Sequence, residues 1–498
     1  MLKADFKNGP FQPTFDSLRT FECPAWFRDA KLGIWSHWGP QSVPMFGDWY
    51  ARNMYIENTD QYRHHARVYG HPSEFGYKDI VQRWKAERFD PDALMELYAA
   101  AGAKYFVAQA MHHDNFFNYD SKLHRWNAAQ MGPKKDIVAL WRAAALKKGL
   151  PFGLTEHMGA TFSWFVPNKG GDKAGLYANV PYDGNDPAYE DLYLPNREHY
   201  GPNKDMHDLE PWYTTNEGWH RHWLAVMKEL IDRYEPDLLY SDGALPFGRI
   251  EESATESDEA AVFEAGLEAV AYLYNKSASL HGGVNQAVYN QKDRRQSVYS
   301  IGILDIERSQ ESDIKPEPWQ TDTCVGGWFY DVRAVYKTPA HVIEILVDII
   351  SKNGNLLLNI PQKPDGTLDD ECTYLLREMA AWRSINEEAV YGTRPFRVFG
   401  EGPSSVVIDH FKEDAVDWTP ADFRFTRRGN MLYAFQMRWP ADGIAMIRTL
   451  TEADRVKSVK LLGAGEVPFE QPDGALIVRL PERRPTPYVH ALAVELED

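Results

Sequence analysis

Pro236-Asp237-Leu238-Leu239-Tyr240-Ser241-Asp242-Gly243 sets a short apolar run between a Pro-Asp pair and an Asp-Gly pair, the pattern of a buried strand entered and left through turns. Side chains alternate along a strand, so Leu238, Tyr240 and Asp242 share one side. A carboxylate therefore stands at the carboxyl end of the run, and Gly243 permits a turn or close ligand approach there. Working outward, seven further runs of this kind appear, at residues 31–38, 104–113, 151–157, 281–288, 300–308, 318–325 and 355–362. Helical patterns at 90–101, 136–148, 217–234, 258–274 and 339–352 lie between several of them. Strands apolar through most of their length are covered on both faces, and closure removes free edges, so the eight runs predict an α/β fold of the (β/α)8 barrel type.

After one more helical stretch, 369–386, the pattern changes to short β-like runs at 404–408, 431–437, 443–446, 456–462, 475–480 and 491–496, separated by turn residues. These predict an all-β C-terminal sandwich. The expected division is a catalytic barrel over 1–394 and a sandwich over 395–498. The segment 164–211, rich in Gly, Pro, Asn, Asp and Tyr, follows the third strand and reads as a long loop over the barrel mouth.

The composition narrows the class. The chain has 498 residues, 44% hydrophobic and 25% charged, as in globular proteins. It carries 54 Lys and Arg against 72 Asp and Glu, a net charge of −18, which opposes nucleic-acid and anionic-lipid partners. Cys23, Cys324 and Cys372 form neither a disulfide framework nor a metal or redox spacing. No stretch reaches the ~18 apolar residues of a membrane span. Residues 1–24 lack a basic segment followed by an apolar run, so a cytoplasmic chain is expected unless a leader was removed. The oligomeric state has no signature in the sequence.

Barrels of this type build their sites at the carboxyl ends of the strands. There stand His37, His112, His113, Glu156, His157, Asp242, Glu307 and Asp322, with Trp35, Trp38, Trp49, Trp319 and Trp328 in or beside the same segments. Asp242 has a competing reading as a turn cap, and Glu307 as one half of a solvated ion pair, with Glu311 and Glu317 as rivals for its role. Adjacent His112 and His113 point to opposite faces if both lie on a strand, and no His-Glu-x-x-His motif occurs, so neither metal nor cofactor is expected. Imidazoles, acids and indoles around one mouth make a carbohydrate-type pocket, because indole faces cover the C–H faces of sugar rings and neutral imidazoles serve hydroxyls.

Seven ordered blocks resemble the α-L-fucosidases of glycoside hydrolase family 29. They are Trp26-Phe27-Arg28-Asp29-Ala30-Lys31-Leu32-Gly33-Ile34-Trp35-Ser36-His37-Trp38-Gly39; Asp48-Trp49-Tyr50; residues 103–114, ending in His112-His113-Asp114; Tyr234 to Gly243; Ser351-Lys352-Asn353-Gly354-Asn355-Leu356-Leu357-Leu358-Asn359; Asn386 to Pro395; and residues 425–440. The resemblance implies a retaining exo-glycosidase for terminal α-L-fucosides, with a fucosylated glycan or glycoside as substrate. It assigns the nucleophile to Asp242 and the hydroxyl-holding roles to His37, His112, His113 and Trp49, with Asp48 near the sugar and Trp35 beside its methyl group. Glu156, His157 and Trp319 complete the expected substrate-binding set. The family's Glu-Trp-Tyr is Asp48-Trp49-Tyr50 here, and a Trp-Glu acid seen in some members is Trp319-Gln320; Glu307 instead resembles the acid/base of another branch, whose pattern around Ile306-Glu307-Arg308 and Trp319-Gln320-Thr321-Asp322-Thr323 is similar. The loop 164–211 and the segment 251–260 are expected to shape the leaving-group side. Alternatives are a non-catalytic carbohydrate-binding protein on the same scaffold and a glycosidase for α-L-galactosides.

Overall fold

The structure is a computed structural model and describes residues 9–201, 205–207, 209, 211–247, 264–409 and 411–497. Eight parallel strands make the first sheet: β1 (Leu32–Ser36), β2 (Tyr105–Gln109), β3 (Phe152–Glu156), β4 (Leu238–Ser241), β5 (Val288–Gln291), β6 (Ile303–Leu304), β7 (Trp319–Cys324) and β8 (Gly354–Asn359). Their order is β6-β5-β4-β3-β2-β1-β8-β7. The remaining seam, between β6 and β7, is bridged where Asp305 pairs with Gln320 and the Ile306 N–H donates to the Gln320 carbonyl at 2.9 Å. The barrel is thus nearly closed.

Period-two alternation sorts the barrel residues into two layers. Trp35, Tyr105, Val107, Leu238, Tyr240, Val288, Ile303 and Leu357 form an inner core with Phe27 and Ala30 of the helix Ala25–Ala30. Phe27 closes the end where the strands begin, its carbonyl accepting from Asn355 Nδ2 at 2.7 Å. Ile34, Phe106, Leu239, Leu304 and Leu358 point outward and pack under the helices. Gly33 makes the inner layer possible, since a Cβ there would come within 2.3 Å of the Tyr105 ring. Helix starts follow their caps: Asp90, Asp136, Asn216, Thr338 and Asp369 each accept a backbone N–H in the first turn.

Several expected boundaries move. The fifth strand is not 281–288 but Val288–Gln291, because the preceding helix runs from Glu264 to Leu280 and is ended by Gly282 and Gly283 at positive φ. The second strand stops at Gln109, leaving His112 and His113 in the following loop, and β6 is only two residues long, so Glu307 lies beyond it. The segment 251–260 lies outside the described residues. Among the described residues, no helix is long and apolar enough to cross a membrane.

The last barrel helix ends at Val390, and the remaining chain is antiparallel: β9 (Arg394–Glu401), β10 (Phe423–Arg428), β11 (Met431–Gln436), β12 (Ile444–Ile447), β13 (Val456–Leu461), β14 (Gly465–Glu466), β15 (Phe469–Glu470), β16 (Leu476–Arg479) and β17 (His490–Leu496). A six-stranded sheet, β14-β13-β17-β11-β10-β9, and a three-stranded one, β12-β16-β15, enclose a core that includes Phe423, Phe425, Leu432, Ile447, Leu476 and Leu492. Residues 404–408, expected as a strand, belong instead to the connection between β9 and β10. Asp422 takes the Ser404 N–H and hydroxyl, both at 2.8 Å, and closes the neck of this excursion.

The two domains share a buried ion cluster. Asp348 of the helix Pro339–Ser351 lies between Lys352 Nζ, at 2.7 Å, and the Arg424 guanidinium from β10. All three side chains are buried, and Arg424 also lies over the Trp418 ring at 4.7 Å. Lys352 and Arg424 hold the Asp348 carboxyl below its ordinary range against the opposing effect of burial. Removing Asp348 strands two cations, so Asp348→Ala is expected to cost about 3–5 kcal/mol in urea unfolding followed by Trp fluorescence. Lys147→Ala, breaking the exposed pair with Asp92, should cost under about 1 kcal/mol.

Candidate active site

A cavity of about 380 Å³ opens at the carboxyl ends of the strands. β1 contributes Trp35 from the inner layer and His37 just beyond it, where the His37 N–H donates to Asn359 Oδ1 at 3.0 Å. Asp48 and Trp49 enter from the next loop, with Trp49 in left-handed backbone at φ 55° and its N–H donated to Asp48 Oδ1 at 2.8 Å. His112 and His113 both reach the cavity because they are loop residues, free of strand alternation. Gln41 Nε2 fixes His112 through Nδ1 at 2.8 Å, and His113 donates Nδ1–H to the His157 carbonyl at 2.6 Å. Tyr240 and Asp242 follow from β4, and Gly243, at φ 90°, turns the chain where a Cβ would strike Tyr213 Oη at 2.7 Å.

Lys292, which follows β5, stands at the electrostatic centre. Its Nζ lies 2.9 Å from Asp242 Oδ1, 2.5 Å from Glu307 Oε2 and 3.5 Å from Asp322 Oδ2. Because one nitrogen touches both, the distances of 2.9 and 2.5 Å bound the Asp242–Glu307 oxygen separation at 5.4 Å. Asp242 Oδ1 also accepts from Tyr240 Oη at 3.1 Å, while Oδ2 faces His113 Nε2 at 3.3 Å and His157 Nδ1 at 3.5 Å.

The two carboxyls are pushed apart in acidity. Burial works to raise Asp242, but Lys292, His157 and His113 outweigh it and hold the group well below the usual carboxylate range. Burial raises Glu307 to about 7, with Asp322 and Asp242 adding to the rise and Lys292 opposing it. Burial also carries Asp48 to about 7, with Glu307 and Asp242 adding to it. Beneath them Asp305, bonded by Gln320 Nε2 at 2.8 Å, is kept protonated by burial and by Asp322. Lys292 keeps its proton because these carboxylates outweigh burial. Burial depresses His37, His112 and His157, which remain neutral.

Of the residues read from the sequence, Trp35, His37, Asp48, Trp49, His112, His113, His157, Asp242 and Glu307 line this one cavity, joined by Asp322 and Trp328. Glu156 does not. It lies behind the wall, where its Oε2 accepts from the Met158 N–H at 2.8 Å and Trp223 Nε1 at 3.1 Å. Trp319 is a core residue at the start of β7, donating Nε1–H to the Lys352 carbonyl at 2.9 Å, so the strand direction carries it away from the mouth. Glu311 and Glu317 are outside the cavity lining, as are the described residues of the loop 164–211, of which Trp164 packs against Trp49, His112 and His113 while others pack over residues 52–78 through pairs such as Tyr55–Asp183. Lys292, Trp212 and Phe411 were missed. Lys292 was legible as the polar residue ending Ala287-Val288-Tyr289-Asn290-Gln291, once that run is taken as the fifth strand.

Trp35 Nε1, His37 Nδ1, His157 Nε2, Trp212 Nε1 and Asp322 Oδ1 are buried without a hydrogen-bond partner. Groups of this kind need partners, and a ligand with several hydroxyls supplies donors and acceptors together. Among the described residues two trios, His37–His112–His157 and His113–His157–Asp242, also bring possible metal-ligating atoms within 4.8 Å of one another. Both draw on His157, and all five residues line the same cavity.

Known proteins resemble this chain along nearly its whole length. The alpha-L-fucosidase family model matches residues 2–388, and the alpha-L-fucosidase C-terminal domain model matches residues 416–496. The tissue alpha-L-fucosidase of Rattus norvegicus is 28% identical over 485 residues, covering 95% of this chain and 89% of that protein. The plasma alpha-L-fucosidase of Homo sapiens is 27% identical, covering 95% and 89%. A solved Thermotoga maritima alpha-fucosidase in complex with fucose superposes with a TM-score of 0.71 at 23% identity, covering 97% of this chain and all of that one, and shares the fold. The chain belongs to the alpha-L-fucosidase family of glycoside hydrolases.

Proposed function

We propose that this fucosidase cleaves terminal α-L-fucosides with retention, using Asp242 as nucleophile and Glu307 as general acid and base. The observation that carries this reading is the shared contact with Lys292, which keeps the two contacted carboxyl oxygens no more than 5.4 Å apart, short of the ~6.5–9.5 Å that an inverting pair needs and compatible with a retaining one. In the first step an Asp242 oxygen bonds to the anomeric carbon as the bond to the leaving oxygen breaks, and that oxygen takes the Glu307 proton. In the second, Glu307 removes a proton from water, whose oxygen attacks the same carbon and releases Asp242. The opposed acidities suit these roles: an ionised nucleophile beside a cation, and an acid kept protonated by burial. The unpartnered indole and imidazole nitrogens are suited to the sugar hydroxyls.

Asp242→Ala should lower turnover of a nitrophenyl α-L-fucoside about 10³-fold or more, with the first-released anomer followed by NMR in the wild type. Net retention is expected; inversion, or a loss under tenfold in the variant, refutes the assignment. Glu307→Ala should regain turnover on that activated substrate when azide is added. Equal rescue in Glu311→Ala would reassign the acid.

The alkaline limb of kcat/KM should fall near pH 7 as Glu307 loses its proton. Because Asp48 is also raised to about 7, Asp48→Asn is the control, and the limb must survive in it. Lys292→Met removes the cation that holds Asp242 ionised, so the acidic limb should move to higher pH.

A further inference from the structure

Glu307 stands between two hollows. One is the cavity already described. The other, about 360 Å³, also contains Lys292 and Glu307 and is walled by Arg294, Ser309, Ile408 and Asp409. Ile408 and Asp409 come from the β9–β10 connection of the C-terminal domain, and Phe411 of the same connection lines the first cavity. The placement of this connection is anchored. Glu413, whose side chain is 8% exposed, accepts from Thr323 Oγ1 at 2.7 Å and pairs with Lys337 at 3.0 Å and Arg308 Nε at 3.3 Å. Arg308 follows Glu307 directly, has left-handed backbone at φ 44°, and places its guanidinium 5.9 Å from the Phe411 ring centre.

We infer that this second hollow is the leaving-group subsite, and that it receives a second pyranose. The inference rests on the reading of Glu307 as the proton donor: the donor must reach the glycosidic oxygen, so the departing group lies on its side of the bond. The lining fits a sugar ring. Ile408, 40% exposed, offers apolar surface to a ring in the hollow, and Phe411, 44% exposed, faces it from the side of the first cavity, while Arg294, Ser309 and Asp409 offer donors and acceptors to hydroxyls. The C-terminal domain thus supplies part of the substrate selectivity of the barrel.

The test compares a nitrophenyl α-L-fucoside with a panel of α-L-fucosyl disaccharides of different linkage, using the full-length protein. The wild type should hydrolyse at least one disaccharide, and in Arg294→Ala and Ile408→Ala the ratio of kcat/KM on that disaccharide to kcat/KM on the aryl fucoside should fall at least tenfold. Failure of the wild type to cleave any disaccharide while it cleaves the aryl fucoside, or ratios within threefold of wild type in both folded variants, overturns the subsite. Azide rescue of Glu307→Ala is scored separately. Rescue with unchanged ratios rejects the subsite alone, and absence of rescue rejects the acid assignment on which it rests.

Discussion

One ammonium group organises the chemistry of this protein. Lys292 is buried among Asp242, Glu307 and Asp322, with Asp305 behind them. Without a cation, this many carboxyls crowded together and largely desolvated would bind protons until little charge remained. With it, charge is distributed unevenly. Asp242, which also faces two imidazoles, stays ionised, and Glu307 holds its proton to about 7. The same nitrogen draws the pair together and favours the ionised Asp242, while burial keeps the proton on Glu307 against it.

The barrel delivers these groups because its interior is solid. Tyr105, reaching across the space left by Gly33, and Trp35, Leu238, Tyr240 and Leu357 fill the centre, so the next inward-facing positions have nowhere to go but the mouth. Tyr240 belongs to both regions: its ring packs in the inner core and its hydroxyl donates to Asp242 and Asp322. Core and site are consecutive layers of one stack.

Much of this was legible in the residues. Apolar runs bounded by turn pairs located β1, β4, β7 and β8, and alternation in 238–242 correctly aimed Asp242 at the mouth. The misplacements share a cause, which is that local pattern does not say where tertiary pairing ends. The stretch 281–288 ends in Ala287-Val288, where the strand begins, but the two glycines at its start terminate a helix, and the shift concealed Lys292. His112 and His113 are a similar case, since alternation separates them only while the strand lasts, and pairing stops at Gln109. Trp319 carried an aromatic signal without a direction, and strand polarity sends it to the core. Phe411 is distant in sequence from every other residue at the mouth, and only the return of the β9–β10 connection brings it there.

The brevity of β6 bears on how such enzymes diverge. Asp242 follows a strand paired on both sides and is fixed by the architecture, whereas Glu307 follows a two-residue strand and is held by the Ile306 and Arg308 amides against β7, with Arg308 secured by Glu413. On the roles proposed above, a proton donor carried on that seam can be relocated by altering a connection, with no stave of the barrel moved. Descendants of one scaffold can then keep the attacking group in place and recruit the donor from different sequence positions.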